Sequence, residues 1–391
     1  MVGAAFIPVD AAIYVHFPWC LQRCPYCDFA TAAAQPASIP HARYADAVVR
    51  ELALRAEALG EPLRPLSLFF GGGTPSLWAH DAIERVIAAV TALGPVREVT
   101  VECNPTSLDA SRAASLYDRG VTRLSIGVQS LRDAHLRYLG RLHDAEGARR
   151  ALRAVAAHGR LRLSADVMFG MNEQEVPALV EDLAELVDLG VEHVSAYMLT
   201  IEPETRFGEL ARKGRLPRLH DDAVAAMYDA VERALDARGF EHYEVSNYGR
   251  PGASSDHNRA YWRGEAYLGL GAAAVGCVPD RGDPTRATRW RNVYDVPGYL
   301  DALSRGELPP QETEALDPET RVREALLLGL RTDEGVDGEA VRARTGRSLC
   351  EGRERAIARE LSAGNLLEEG ARLRIPRARW LHADGITARL F

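Results

Sequence analysis

The sequence predicts an α/β protein, a partial (β/α)6 barrel followed by a smaller α+β module of winged-helix type. Three observations predict it. Apolar runs rich in β-branched and aromatic residues alternate six times with amphipathic helical stretches. Polar or glycine-rich clusters come at or just past the ends of these runs, where a barrel carries its chemistry. After Arg238 the pattern changes, and from Pro318 three helical stretches and a β-ribbon follow.

The predicted strands are Ile13 to Phe17, Leu66 to Phe70, Glu98 to Glu102, Thr122 to Gly127, Arg162 to Phe169 and His193 to Leu199. The predicted helices are His41 to Leu59, Asp81 to Leu93, Leu108 to Arg119, Asp144 to His158, Val176 to Leu189 and Asp221 to Arg238. Strand–helix units in series favour a parallel sheet with outer helices. Six units are too few to close an eight-stranded barrel. An open or partial barrel is therefore the first reading and a doubly wound sheet the second. The barrel reading places the cysteine-bearing loop after the first strand and GGGTPS after the second. Glu102 and Asn104 end the third strand and GVQS the fourth, Asp166 lies within the fifth, and Tyr197 lies near the end of the sixth.

Residues 1–240 form the expected barrel. Residues 241–310 form an extension with the HNRAYW segment and an arginine- and proline-containing loop, Pro279 to Pro297. Residues 311–391 form the C-terminal module, with helices in TRVREALLLGLR, GEAVRARTG and EGRERAIARELSAG and two short strands around Glu369 and Gly370. Such modules often bind DNA, but no basic face is discernible here, and a packing or lid role is the expectation.

The 391 residues are 47% hydrophobic, enough for a sizeable core, and carry a formal net charge of -8. That charge argues against non-specific nucleic-acid binding. Lys213 is the only lysine, so almost no residue is available for Schiff-base chemistry. The N-terminal stretch lacks a basic region and a long apolar segment, and no apolar run reaches membrane-spanning length. A cytoplasmic location is expected. In a reducing compartment, clustered cysteines read as metal ligands before disulfides.

The stretch YVHFPWCLQRCPYCDFA holds Cys20, Cys24 and Cys27 at spacing C-x3-C-x2-C. Closely spaced thiolates suit soft metals, iron–sulfur clusters above all. A structural zinc would want four closed ligands, and no second C-x2-C pair supplies them. His16 is a possible fourth zinc ligand, and a redox pair of Cys24 and Cys27 is a further alternative that leaves Cys20 without a role. GGGTP lets backbone N–H groups approach a small ligand, and it is not a phosphate-binding Walker loop because no G-K-[ST] follows. Glu102 and Asp166 are candidate acceptors for ammonium or ribose hydroxyls, and Arg141 is a candidate partner for a carboxylate. Taken singly, Glu102, Gln129, Arg141 and Asp166 are more often structural caps or salt bridges, and their reading depends on the cluster.

The C-x3-C-x2-C spacing after a first barrel strand, with aromatic Tyr26 before the last cysteine, resembles the radical S-adenosylmethionine superfamily. The wider set YVHFPWC, GGGTPSL, VECNP, RLSIGVQS, LGRLH, DVMFG and HNRAYW resembles the oxygen-independent coproporphyrinogen III oxidase group over almost the whole chain. The true dehydrogenases of that group carry a further cysteine two residues after the third. Here Phe29 stands there, which is similar to the heme chaperone branch, HemW.

The resemblance implies a [4Fe–4S] cluster on Cys20, Cys24 and Cys27, with one iron left open for S-adenosylmethionine. It implies S-adenosylmethionine contacts from Tyr14, Tyr26, Gly72, Gly73, Thr74, Glu102, Gln129, Arg141 and Asp166. It also implies heme as cargo, an acceptor protein to receive it and an electron donor to the cluster. His257, with Asn258, Tyr261 and Trp262, is the heme candidate, against the alternative of a packed loop. The family usually has a histidine in the glycine-rich run after YLGLG, where this chain has Val275, with Cys277 as a conceivable thiolate substitute. The alternative function is radical oxidative decarboxylation of coproporphyrinogen III in porphyrin biosynthesis. A zinc-stabilised barrel of unrelated activity is the third expectation.

Overall fold

Twelve strands build one continuous sheet in the computed structural model, which describes residues 8–391. β1 (Val9–Phe17), β2 (Leu63–Gly72), β3 (Val99–Cys103), β4 (Arg123–Gln129), β5 (Arg162–Phe169) and β6 (His193–Met198) are parallel neighbours in chain order. A doubly wound sheet reverses its order at a switch point. This run does not reverse, so it is the expected partial barrel. The strands are covered on both sides and therefore read as nearly continuous apolar runs. Ile13, Val15, Phe17, Leu68, Phe70 and Val101 are fully buried.

The crossover helices are His41–Leu59, His80–Thr91, Ala110–Asp118, Ala145–His158 and Val176–Asp188, with Asp221–Asp236 after β6. Their ends follow local chemistry. Asp109 and Asp144 accept N–H bonds from Arg112 and Gly147 in the first turns. Gly60 and Gly159 close two of the helices in the left-handed conformation that a side chain disfavours.

The sheet continues past residue 240 on both sides. β7 (Glu241–Glu244) and β8 (Asn247–Gly249) extend it antiparallel beyond β6, in the order β6-β8-β7. On the opposite side β9 (Ala266–Leu270) pairs parallel with β1. β10 (Val275–Pro279), β11 (Ala287–Asn292) and β12 (Gln311–Leu316) follow antiparallel. The stretch expected as a loop, Pro279 to Pro297, thus contains a strand. Its sequence ATRWRN buries only Ala287, Trp290 and Asn292, too sparse an alternation to read as β. The outer strand β12 exposes Glu312 and Glu314, and charges on an edge discourage another strand from adding.

The C-terminal module has the winged-helix-like make-up expected of it. The helices Pro318–Gly329, Gly338–Thr345 and Glu354–Ser362 pack with a small antiparallel sheet of β13 (Val336–Asp337), β14 (Leu367–Glu369) and β15 (Arg372–Arg374). It is fastened to the extension by backbone bonds from Val245 N–H to the Arg331 carbonyl (3.1 Å) and from Asp333 N–H to the Tyr243 carbonyl (3.0 Å). Arg259 and Arg263 both pair with Glu334. Among the described residues, no helix is long and apolar enough to cross a membrane.

Candidate functional site

Strand order decides which side chains meet. Six parallel strands in sequence bring their C-terminal ends to one rim, and a cavity of about 600 Å³ opens there. Cys20, Cys24 and Cys27 line it. So do all nine of the other residues assigned by resemblance: Tyr14, Tyr26, Gly72, Gly73, Thr74, Glu102, Gln129, Arg141 and Asp166.

The three cysteines are free thiols. Cys20 ends a two-residue strand that pairs with Ala32–Ala33, and the Cys27 N–H bonds the Cys24 carbonyl at 3.2 Å. Burial pushes the Cys20 and Cys27 thiols above their usual range, and the neighbouring cysteines add to it. The hydroxyls of Thr74 and Thr31 partly offset this at Cys20. Arg141 reaches over the group: Nη1 donates to Cys24 Sγ at 3.5 Å and Nη2 to the Gly127 carbonyl at 3.0 Å. Among the described residues, no three His, Cys, Asp or Glu side chains converge on the position of a single metal ion. Thiolates that ligate separate irons of a cluster need not converge on one point. The His16 ring is occupied elsewhere, with Nε2 bonded to the Ala30 carbonyl (2.9 Å) and Nδ1 accepting from the Tyr14 hydroxyl (3.1 Å). It serves the loop and is not a fourth ligand.

The glycines are required there by conformation and by close packing against the chain itself. Gly72 has φ +108°, and a Cβ there would lie 2.6 Å from the His16 ring. A Cβ on Gly73 would lie 2.4 Å from the Trp19 carbonyl oxygen. The Gly72 N–H donates to Glu102 at 3.1 Å. Gln129 follows a bulge in the β4–β5 pairing and has φ 65°, uncommon for a residue with a side chain. That conformation carries its amide into the cavity wall. Its Oε1 and the Arg141 Nε are both buried without a protein partner.

Burial pushes the Glu102 carboxyl up to about 8, and Asp166 beside it adds to the effect. The Gly72 N–H and the Arg123 guanidinium work the other way. Asp166 is also raised by burial, and it accepts from Ser125 Oγ at 3.1 Å. Arg123, Ser125 and Ser195 line the cavity and were missed by sequence reasoning. Arg123 carried a signal, a charge inside the apolar run TRLSIGVQ, where it is 2% exposed. The residues present fit a cluster with a small polar ligand beside it. Three thiols stand on one wall, and a buried amide oxygen and guanidinium nitrogen lack partners. A backbone cradle there has no space for a side chain.

A second cavity, of about 890 Å³, adjoins the first and shares Tyr14, Asp28, Phe29, Gly72, Glu102 and His257 with it. The Asp256–Trp262 helix supplies His257, whose Nδ1 meets Ser67 Oγ at 2.9 Å and whose ring lies 4.9 Å from that of Phe69. Burial lowers the imidazole to about 4, against the pull of Glu98, so it is neutral at pH 7. Asn258 lines the first cavity and Tyr261 the second, with Tyr261 5.3 Å from the Tyr267 ring. Trp262 lines neither and lies beneath the Arg331 guanidinium, 5.1 Å away. Val275 lines the second cavity. Cys277 lines neither, and burial pushes its thiol up to about 11.

Comparison with known proteins agrees with this geometry. Residues 14–183 match the Radical SAM superfamily, and residues 316–382 match the HemN C-terminal domain. The chain is 33% identical to heme chaperone HemW of Bacillus subtilis over 86% of its own length and 87% of that protein's. It is 37% identical to the Escherichia coli heme chaperone HemW, over 72% of this chain and 74% of that one. It is also 37% identical to the mitochondrial radical S-adenosyl methionine domain-containing protein 1 of Danio rerio, over 84% and 74%. Among solved structures, coproporphyrinogen III oxidase (HemN) from Escherichia coli, a radical SAM enzyme, superposes with TM-score 0.78. That superposition covers 98% of this chain and 90% of that one at 17% identity, a likeness of fold.

Proposed function

This chain belongs to the HemW family of the radical SAM superfamily, and on that footing we propose that it is a cytoplasmic heme chaperone, binding heme and passing it to an acceptor protein. Cys20, Cys24 and Cys27 would hold a [4Fe–4S] cluster, and the partnerless polar atoms of Gln129 and Arg141 would receive S-adenosylmethionine beside it. Bound there, the cluster supplies one-electron chemistry from an external electron donor and an open position for that ligand. Glu102 and Asp166 accept hydrogen bonds from the ligand's amine and hydroxyl groups. The Gly72–Gly73 backbone lets the ligand approach closely.

The observation that carries the heme reading is His257 on the wall between the two cavities. With Nδ1–H donating to Ser67 Oγ, the neutral ring leaves its Nε2 lone pair for iron. The surroundings suit a large flat apolar ligand. Seven of the twelve exposed large apolar side chains line one cavity or the other. Contiguous apolar exposure of that kind marks a binding face, and the second cavity is within the size range of ligand pockets. Phe29, in place of a further cysteine, favours the chaperone over the decarboxylase.

Anaerobic titration of the full chain with heme tests this. A saturable shift of the Soret band is expected, and His257→Ala is expected to abolish or displace it. An unchanged band with the wild-type chain overturns the reading. Anaerobic incubation with coproporphyrinogen III, S-adenosylmethionine and a reductant tests the alternative, and formation of protoporphyrinogen would establish it.

A further inference from the structure

The second cavity is lined by two chemically different groups. Phe29, Tyr261, Tyr267 and Tyr294 are aromatic. β11 adds Arg289 and Arg291, two residues apart and therefore on one face of the strand. The two arginines are in different states. Arg289 is held by Glu314 at 3.2 Å and by Glu324. Arg291 is exposed, and among the described residues it has neither an ion-pair partner within 4 Å nor a side-chain hydrogen bond. Of the two arginines that line the cavity, Arg291 is therefore the one whose guanidinium is available to an anionic ligand.

The backbone beneath Arg291 is fixed. Its neighbour Asn292 points to the opposite face, where Nδ2 donates to Glu51 Oε1 and to the Gly271 carbonyl, both at 2.8 Å. Asn292 Oδ1 accepts from Arg55 at 2.9 Å. Arg291 is thus a flexible cation on a rigid base, lining the same cavity as the aromatic rings and His257. A ligand matching all three has a flat apolar body, a centre that takes an imidazole, and an anionic rim.

Resting on the reading of this cavity as the heme site, we propose that Arg291 is the carboxylate anchor that pairs with a propionate of the bound porphyrin. Arg289, already neutralised, shapes the wall. Glu312 lies across from Arg291 in strand register and lines the same cavity. It repels an incoming carboxylate and competes for the guanidinium. The pairing makes the site selective for porphyrins that keep free acid groups on the rim.

The test compares heme with its dimethyl ester, titrated anaerobically into the full chain and into Arg291→Met, Glu312→Gln and His257→Ala. Both rim residues are exposed, and circular dichroism verifies that the variants fold. Arg291→Met is expected to weaken heme about tenfold, the worth of one charge-assisted hydrogen bond, and to leave the ester unchanged. Glu312→Gln is expected to tighten heme and leave the ester unchanged. His257→Ala is expected to alter the Soret position while the preference for acid over ester persists. Equal losses for heme and ester in Arg291→Met, or no loss for either, overturn the anchor while leaving the heme reading intact. A wild-type chain that binds neither porphyrin overturns both.

Discussion

Replacing Glu51 by Gln is expected to cost several kcal/mol of stability and to loosen the second cavity together. Glu51 is fully buried, in the middle of the His41–Leu59 helix. Its two oxygens accept from the Gly271 N–H (2.8 Å), Asn292 Nδ2 (2.8 Å), the Tyr299 hydroxyl (2.9 Å) and Arg55 Nε (3.0 Å). A glutamine keeps the shape but turns a donor toward at least one of these donors, and it removes the charge opposite Arg55. The Arg55 side chain is 6% exposed, so its cation would be left in the interior with only Asn292, Gln311 and the Trp290 ring. Breaking a buried pair from one side costs about 3–5 kcal/mol. The exposed pair Arg43–Asp301 is the internal control, since a surface ion pair is worth about 0–1 kcal/mol. Urea unfolding followed by circular dichroism compares Glu51→Gln with Asp301→Asn. The same hub holds Gly271 and Asn292, which flank the cavity wall, so heme affinity is expected to fall in Glu51→Gln alone. If Glu51→Gln unfolds at the same urea concentration as Asp301→Asn, the interior ion-pair reasoning is wrong.

Two further outcomes are expected. Glu102 keeps its proton up to about 8 in the folded chain, against an ordinary value of 4.5. Between those values the folded state holds more protons than the unfolded one, so stability is full below this window and is lost as pH rises through it. Because Glu102 lines an open cavity, the loss is about 1–3 kcal/mol. Glu102→Gln is expected to flatten the decline between about pH 5 and about pH 9, and an identical slope in both proteins refutes the assignment. Cys24→Ala is expected to remove iron, acid-labile sulfide and the visible absorption of the anaerobically purified chain. A colourless wild-type protein, or a variant that retains full iron and sulfide, refutes the cluster.

The first cavity was legible because its parts are local. Most candidate residues follow or end an apolar run while Tyr14 and Asp166 lie within one, and strand order gathers them around one cavity across about 150 positions of sequence. The glycine cradle was legible in kind, though its tightest approach, Gly73 against Trp19, depends on a chain crossing that no pattern reports. Arg123 was passed over because a charge within an apolar run reads as an edge residue until burial is known. The second cavity was legible only through the resemblance, which named His257, Tyr261 and Val275 among its lining but not the cavity itself. It joins the His257 helix, the Phe29 loop and β10–β12, and β11 hides its strand character behind two arginines and a buried asparagine. Trp262 was grouped with His257 through the HNRAYW motif of the resemblance, and in the structure its ring lies against the Arg331 guanidinium.

Tyr14, Gly72, Glu102 and His257 line both cavities. A guest that shifts these residues from one chamber alters the room and the charge felt in the other. Free energy passed through such shared residues is reciprocal, whichever guest arrives first. On the proposed reading, cargo and cofactor would share these residues, and binding of one would be felt at the other's site.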